Sequence, residues 1–293
     1  MHLNSFRKLG INIREEAGDI YCETGKLQNT EVELDFPSVG ATENIMLVSV
    51  LGEGVTTIKN AAREPEIIDL QNILNKMGAK VHGAGSNIIT IHGVKNLHDT
   101  TYSVMPDRIE AGTFLCAGAV TKGHIILNNV NVEHISSIIS KIRETGVTIY
   151  TNENTIELIS DKRLNSVDTI KTMPYPGFPT DMQSQFVSML SVAKGTSIMI
   201  ENIFENRFKY ISELTRMGAK ITIEGRTAVI KGVKRLRGTI IEAHDLRGGA
   251  ALIIAGLIAN GKTKVIGIKH ILRGYENIDK KIKTLGGSII RSE

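Results

Sequence analysis

A hydrophobic or small residue followed by glycine recurs five times along the chain, at Leu9-Gly10, Met77-Gly78, Thr145-Gly146, Met217-Gly218 and Leu285-Gly286. The glycines stand at positions 10, 78, 146, 218 and 286, so they are 68, 68, 72 and 68 residues apart. A fixed period of this size is the mark of a tandem array of one supersecondary unit, with each glycine at the end of a helix. That array constrains the fold more than any other feature. Every helix and strand has to be one position of a repeated module that buries its apolar faces against its neighbours.

One full copy of the module runs from about Ser38 to Leu97. Ser38-Val39-Gly40-Ala41-Thr42 suits a helix start, and the apolar stretch Ile45 to Leu51 stops at Gly52-Glu53-Gly54. The β-branched run Val55-Thr56-Thr57-Ile58 predicts a strand. A second helix is expected from Pro65, with Ile67, Ile68, Leu70, Ile73, Leu74 and Met77 near one face, before Gly78 ends it. Two short strands, Lys80–His82 and Ile88–Ile91, close the copy around the turn Gly83-Ala84-Gly85-Ser86.

Three further copies, with first helices near Asp107, Thr180 and Asp245, read as nearly complete. Their first helices are almost unbroken apolar runs, as in Ala250 to Ala259, which implies central burial. The predicted class is α/β, with helices inside and sheets outside. Ahead of Gly10 there is only the end of a second helix, Asn4 to Leu9, with its hairpin, Ile11–Arg14 and Asp19–Cys22. The first module is therefore expected to be cut through its second helix.

Composition narrows the function. A net charge of +4 over 293 residues, without a run of lysines and arginines, argues against nucleic acid and admits small anionic ligands. The N-terminus has no signal-peptide pattern, and the longest apolar run, Ala250 to Ala259, is too short to cross a membrane. Two cysteines without a CxxC pattern fit a reduced cytoplasmic setting. Cys116 lies in an apolar run and reads as buried and inert, while Cys22 has no neighbour to activate it. The eight histidines show no metal-ligand spacing.

The start of each first helix is the repeated position where chemistry is expected. It is occupied by Ser38-Val39-Gly40, Pro106-Asp107-Arg108, Pro179-Thr180-Asp181 and Asp245-Leu246-Arg247. The second helices are preceded by Arg63-Glu64-Pro65-Glu66, Glu205-Asn206-Arg207 and Arg273-Gly274-Tyr275-Glu276. Helix N-termini attract phosphate and carboxylate groups, and arginine holds such oxyanions in a bidentate fork. At any one position, an acid that caps the helix and pairs with a nearby arginine is an equally good account. Four arginines at equivalent helix starts, where their charge is disfavoured, point instead to an anionic partner.

The same segments, together with Asn60-Ala61-Ala62 before Arg63, Ile109-Glu110 after Arg108 and Phe204-Glu205-Asn206-Arg207-Phe208, resemble the UDP-N-acetylglucosamine 1-carboxyvinyltransferases over essentially the whole chain. The resemblance implies an inside-out α/β barrel of such modules in two domains. It places a partial first domain at 1–105, and at 106–293 a second domain lacking an N-terminal strand segment. The implied reaction moves the enolpyruvyl group of phosphoenolpyruvate to the 3-hydroxyl of UDP-N-acetylglucosamine, in cytoplasmic peptidoglycan synthesis, with no metal or organic cofactor.

Carried over by matching motif, Asp181 is implied as the base near the sugar hydroxyl. Arg247 and Arg273 would hold phosphoenolpyruvate, with Arg207 close by. Ser38, Val39 and Gly40 would meet the diphosphate through backbone groups, and Ile203 the sugar nucleotide. A Lys-Asn pair, an acid loop with its cysteine and the arginines flanking that loop belong, in the family, upstream of the segment matching Met1. The chain alone is therefore expected to be inactive. A non-catalytic UDP-sugar-binding or protein-docking remnant is the alternative, with self-association through the incomplete first domain. A relative acting on shikimate 3-phosphate is the lesser one.

Overall fold

All five helix-end glycines adopt the left-handed backbone, with φ of 85° at Gly10, 97° at Gly78, 90° at Gly146, 94° at Gly218 and 86° at Gly286. The period read from sequence is thus a period of helix terminations. The computed structural model describes residues 1–25, 27 and 29–292. They fall into two compact units, Met1–Met105 with Pro174–Pro176, and Pro106–Met173 with Gly177–Glu293.

The first unit begins with α1 (His2–Lys8) and the hairpin of β1 (Ile11–Glu16) and β2 (Asp19–Thr24). A complete module follows: β3 (Thr30–Glu33), α2 (Val39–Ser49), β4 (Val55–Lys59), α3 (Pro65–Lys76), β5 (Lys80–His82) and β6 (Ile88–His92). The sheet order is β3-β4-β6-β5, with β3 parallel to β4 across the α2 crossover and the other pairs antiparallel. Ile58, Ile89, Ile91 and Val81 point inward from the sheet onto Ile45 and Met46 of α2 and Ile67 of α3. The period-2 and period-3.6 patterns of the sequence meet there.

The second unit holds the other copies. The first comprises α4 (Arg108–Val120), β7 (His124–Asn128), α5 (Ser136–Glu144), β8 (Thr148–Asn152) and β9 (Thr155–Ile159). The next comprises β10 (Thr169–Lys171), α6 (Gln183–Leu190), β11 (Thr196–Ile200), α7 (Ile211–Arg216), β12 (Lys220–Glu224) and β13 (Thr227–Lys231). The last has β14 (Ile240–Glu242), α8 (Leu246–Ile258), β15 (Lys264–Ile266) and α9 (Ile278–Thr284). The sheet β10-β11-β13-β12 repeats the order of the first unit, whereas β7-β9-β8 has three strands and β14-β15 two. The first helices form the interior. Every residue of α6 is buried, as is the run Gly248–Ala255 of α8, and Ser188 Oγ donates to the Ala251 carbonyl at 2.8 Å.

The segment Gly93-Val94-Lys95 recurs as Gly232-Val233-Lys234, and the glycine of each has a steric cause. A Cβ on Gly93 would stand 1.8 Å from the Gly52 carbonyl oxygen, and one on Gly232 1.9 Å from that of Ala193. In both modules the next valine amide donates to the end of the first helix, Val94 to Val50 at 2.9 Å and Val233 to Ser191 at 2.8 Å. Each module is thereby latched shut on its own backbone.

Two expectations need correction. The copy at Asp245 is less complete than its sequence suggests, because residues 287–292 after Gly286 form no strand. The arginines, moreover, do not share one kind of position. Arg108 opens α4 and Arg247 is the second residue of α8, whereas Arg207 lies four residues before α7. Arg273 closes a 3-10 turn, Ile268–Arg273, five residues before α9. The loops after β11 and β15 take up the difference, and a helix-start motif in sequence cannot reveal their length.

Candidate active site

Pro179 stands at the cap position with extended backbone and no capping side chain, so the 3-10 turn Thr180–Met182 leads directly into α6. Asp107 and Asp245 are ordinary caps. Asp107 accepts from the Ile109 amide at 2.7 Å and the Glu110 amide at 3.0 Å, and Asp245 from Gly248 at 2.7 Å. Asp181 accepts no capping bond, and its carboxylate turns to two arginines instead. Oδ1 accepts from Arg207 Nη2, and Oδ2 lies 3.4 Å from Arg247 Nη2. The side chains of Arg207 and Arg247 are 17% and 16% exposed against 39% for Asp181, so the cations are the more buried members. Burial alone would push the Asp181 carboxyl up, but the charges and hydrogen bonds of Arg247 and Arg207 outweigh it and hold it below its ordinary value.

An anionic partner was expected for these arginines, and the anion that Arg207 and Arg247 contact in the structure is the Asp181 carboxylate. Two guanidinium groups converging on one carboxylate form an arrangement that can also hold another oxyanion.

Behind Arg247 lies a buried polar network. Its Nη1 is 3.4 Å from the Tyr275 hydroxyl, which is 2.8 Å from Thr113 Oγ1 and 3.2 Å from Gln185 Nε2. Gln185 Nε2 also donates to Thr113 Oγ1 at 3.1 Å. Thr113 comes from α4 and Gln185 from α6, so two helices fix the hydroxyl that faces the arginine. Arg207 is braced differently, with its guanidinium carbon 4.7 Å from the ring centroid of Phe204. Sequence reasoning missed Tyr275: it was visible only as part of the Arg273-Gly274-Tyr275-Glu276 motif.

Arg273 is exposed and makes no ion pair with a described residue. Ile203 is partly buried in the loop before Arg207, its amide donating to Glu201 Oε1 at 2.8 Å. In the first unit Ser38 is the cap of α2, its Oγ accepting from the Ala41 amide at 3.3 Å. Val39 and Gly40 begin the helix, where amides have no intrahelical acceptor. Cys116 is fully buried, which pushes its thiol up, and Cys22 is exposed. Among the described residues no cluster of His, Cys, Asp and Glu is arranged to hold a metal ion. No described helix is long and apolar enough to cross a membrane.

Residues 1–282 match the family model for EPSP synthase (3-phosphoshikimate 1-carboxyvinyltransferase). UDP-N-acetylglucosamine 1-carboxyvinyltransferase 2 of Caldanaerobacter subterraneus subsp. tengcongensis is 54% identical over 291 residues, which cover 99% of this chain and 70% of that protein. The enzyme numbered 2 of Staphylococcus saprophyticus is 47% identical over 293 residues, covering 100% of this chain and 69% of that protein. Among solved structures, the enolpyruvyl transferase NikO from Streptomyces tendae superposes with a TM-score of 0.88 at 22% identity, over 98% of this chain and 71% of that one. EPSP synthase from Acinetobacter baumannii does so with a TM-score of 0.74 at 20% identity, over 99% and 71%. These two establish the α/β enolpyruvyl transferase fold, and the close relatives establish the kind: the chain belongs to the UDP-N-acetylglucosamine 1-carboxyvinyltransferases, within the EPSP synthase family of enolpyruvyl transferases.

Proposed function

We propose that the chain contributes the sugar-hydroxyl base and the anion-binding arginines for transfer of the enolpyruvyl group of phosphoenolpyruvate to the 3-hydroxyl of UDP-N-acetylglucosamine, in cytoplasmic peptidoglycan synthesis. The observation that carries this reading is the ionised Asp181 carboxylate shared between Arg207 and Arg247. A carboxylate held by two guanidinium groups is a weak base. When phosphoenolpyruvate takes over those groups, the positive field on Asp181 falls and its basicity rises. The base is thus switched on by the co-substrate.

Asp181 then accepts the proton of the 3-hydroxyl as its oxygen bonds to C2 of phosphoenolpyruvate, while C3 gains a proton. Breaking the C2–O bond to phosphate and returning one C3 proton to the acid that supplied the first gives the enol ether and inorganic phosphate, and Asp181 passes its proton to the departing phosphate or to solvent. Arg247 and the exposed Arg273 neutralise the carboxylate and phosphate charges throughout. Ser38, Val39 and Gly40 offer first-turn amides to the diphosphate, and Ile203 packs on the sugar nucleotide.

No residue described above is assigned the proton that C3 gains. The chain spans 70% of its relative's length, and we place that acid in the remaining part. The 293-residue polypeptide alone is then expected to bind UDP-N-acetylglucosamine without turnover. Calorimetric titration with UDP-N-acetylglucosamine, phosphoenolpyruvate and shikimate 3-phosphate, beside a phosphate-release assay, tests both parts. A folded chain that titrates shikimate 3-phosphate and ignores the UDP-sugar overturns the substrate assignment. Phosphate release at the rate of an intact relative overturns the assignment of the acid.

A further inference from the structure

Glu201 follows β11 directly and is 1% exposed, yet it forms no ion pair with a described residue. Burying a carboxylate without a counter-ion is costly unless several hydrogen bonds replace its water. Four donors do so. Oε1 accepts from Thr172 Oγ1 at 2.9 Å, from the Ile203 amide at 2.8 Å and from the Phe204 amide at 3.0 Å. Oε2 accepts from Thr180 Oγ1 at 2.9 Å. Thr172 Oγ1 in turn accepts from the Asn202 amide at 2.8 Å, which ties the same loop to the end of β10.

These partners lie on the two segments that make the Asp181–Arg207 pair. Thr180 immediately precedes Asp181, and Phe204 carries the ring beneath the Arg207 guanidinium. We propose that Glu201 is the positioning residue of the site, its two oxygens setting the Arg207 loop against the turn that carries Asp181. The proposal rests on the reading of Asp181 and Arg207 as part of the reacting site. It gives a neutral-donor cage a task that a hydrophobic residue could not perform, since two backbone amides of the loop need an acceptor at that point.

The test is the titration of the Asp181 carboxyl carbon by NMR in the ligand-free chain, with thermal melts recorded alongside. It needs no substrate, so it stands whether or not the UDP-sugar binds. Removing a negative charge by its field alone would move the Asp181 midpoint down. Losing the placement of Arg207 would move it up, toward the ordinary carboxylate range. In Glu201→Ala we expect an upward move. In Glu201→Gln the carbonyl oxygen still serves the two amides and Thr172, and the amide group can donate to the Thr180 hydroxyl, so the placement holds, only the field effect remains, and the midpoint should stay or move slightly down. Thr180→Val, which cuts one tie and keeps the shape, should show a smaller upward move and is decisive should Glu201→Ala not fold. A midpoint that stays or falls in the folded Glu201→Ala chain overturns the proposal, as does no move in Thr180→Val. A Glu201→Gln midpoint displaced as far as that of Glu201→Ala would also overturn it.

Discussion

The hydroxyl of Tyr275 lies 3.4 Å from Nη1 of Arg247, and the guanidinium carbon is 5.7 Å from the centroid of the same ring. The arginine therefore meets Tyr275 with one amino group and Asp181 with the other. Tyr275→Phe keeps the buried ring and removes the hydroxyl. Thr113 keeps its bond to the Ile109 carbonyl, and Gln185 keeps Thr113 and Ser184, so losing the hydroxyl should cost the folded state about 1–2 kcal/mol in a urea melt. Phosphoenolpyruvate should bind more weakly in calorimetry, with UDP-N-acetylglucosamine binding unchanged. Equal weakening of both ligands would argue against a role specific to Arg247.

Asp181 pairs with Arg207 and Arg247, so an anion that binds these arginines has to displace it. Asp181→Asn should therefore bind inorganic phosphate more tightly than the parent does, even though the variant loses the proposed base. A partly exposed ion pair contributes up to about 1 kcal/mol, which corresponds to roughly fivefold in affinity. Titration with phosphate at two ionic strengths checks this, and weaker binding in the variant would contradict it.

The acid limb of the stability profile carries a defined sign. The native state depresses the Asp181 pKa, so its carboxylate stabilises the fold fully above the ordinary value of 3.8, and that contribution is lost as pH falls through the depressed value. Urea midpoints of the parent and Asp181→Asn should differ at neutral pH and converge in acid. Glu43 behaves oppositely, because burial first, and then the charges of Glu66 and Glu64, raise its pKa. Its charged form opposes folding as pH rises, so Glu43→Gln should stabilise the first unit at neutral pH.

The latch glycines can be separated from the helix-end glycines by one methyl group. Gly93→Ala and Gly232→Ala place that methyl against a backbone carbonyl that cannot swing aside, and each should cost roughly 3 kcal/mol. At Gly218, whose φ is 94°, a Cβ would meet nothing within 4 Å, so Gly218→Ala should cost only about 1 kcal/mol for the left-handed backbone. Denaturant melts of the three variants give the order directly.

The parts of the fold that were legible in sequence are those with a local cause. Gly10, Gly78, Gly146, Gly218 and Gly286 announce helix ends because only glycine takes the left-handed conformation freely. The apolar runs of α4, α6 and α8 announce burial on all sides. The leading strands β3, β10 and β14 were not assigned from sequence. They are three or four residues long, and their parallel partners lie beyond an intervening helix. At the site, Asp181, Arg207 and Arg247 could be named one by one, but their mutual pairing spans 26 and 66 residues and leaves no periodic trace. Tyr275 escaped for the same reason, and so did Glu201, whose local bonds to the Ile203 and Phe204 amides leave no sequence mark and whose Thr172 and Thr180 partners lie 29 and 21 residues away.

The latches at Gly93 and Gly232 also bear on how such a chain breathes. Each joins the last strand of a module to the end of that module's own first helix, so the main-chain bonding of one repeat is satisfied within about sixty residues of sequence. What neighbouring repeats in a unit share is largely side-chain burial. A repeat can therefore fray or reclose without unzipping the backbone of the next, and amide protection should rise and fall in blocks that follow the repeat boundaries. An array built this way confines a local opening to the copy in which it begins.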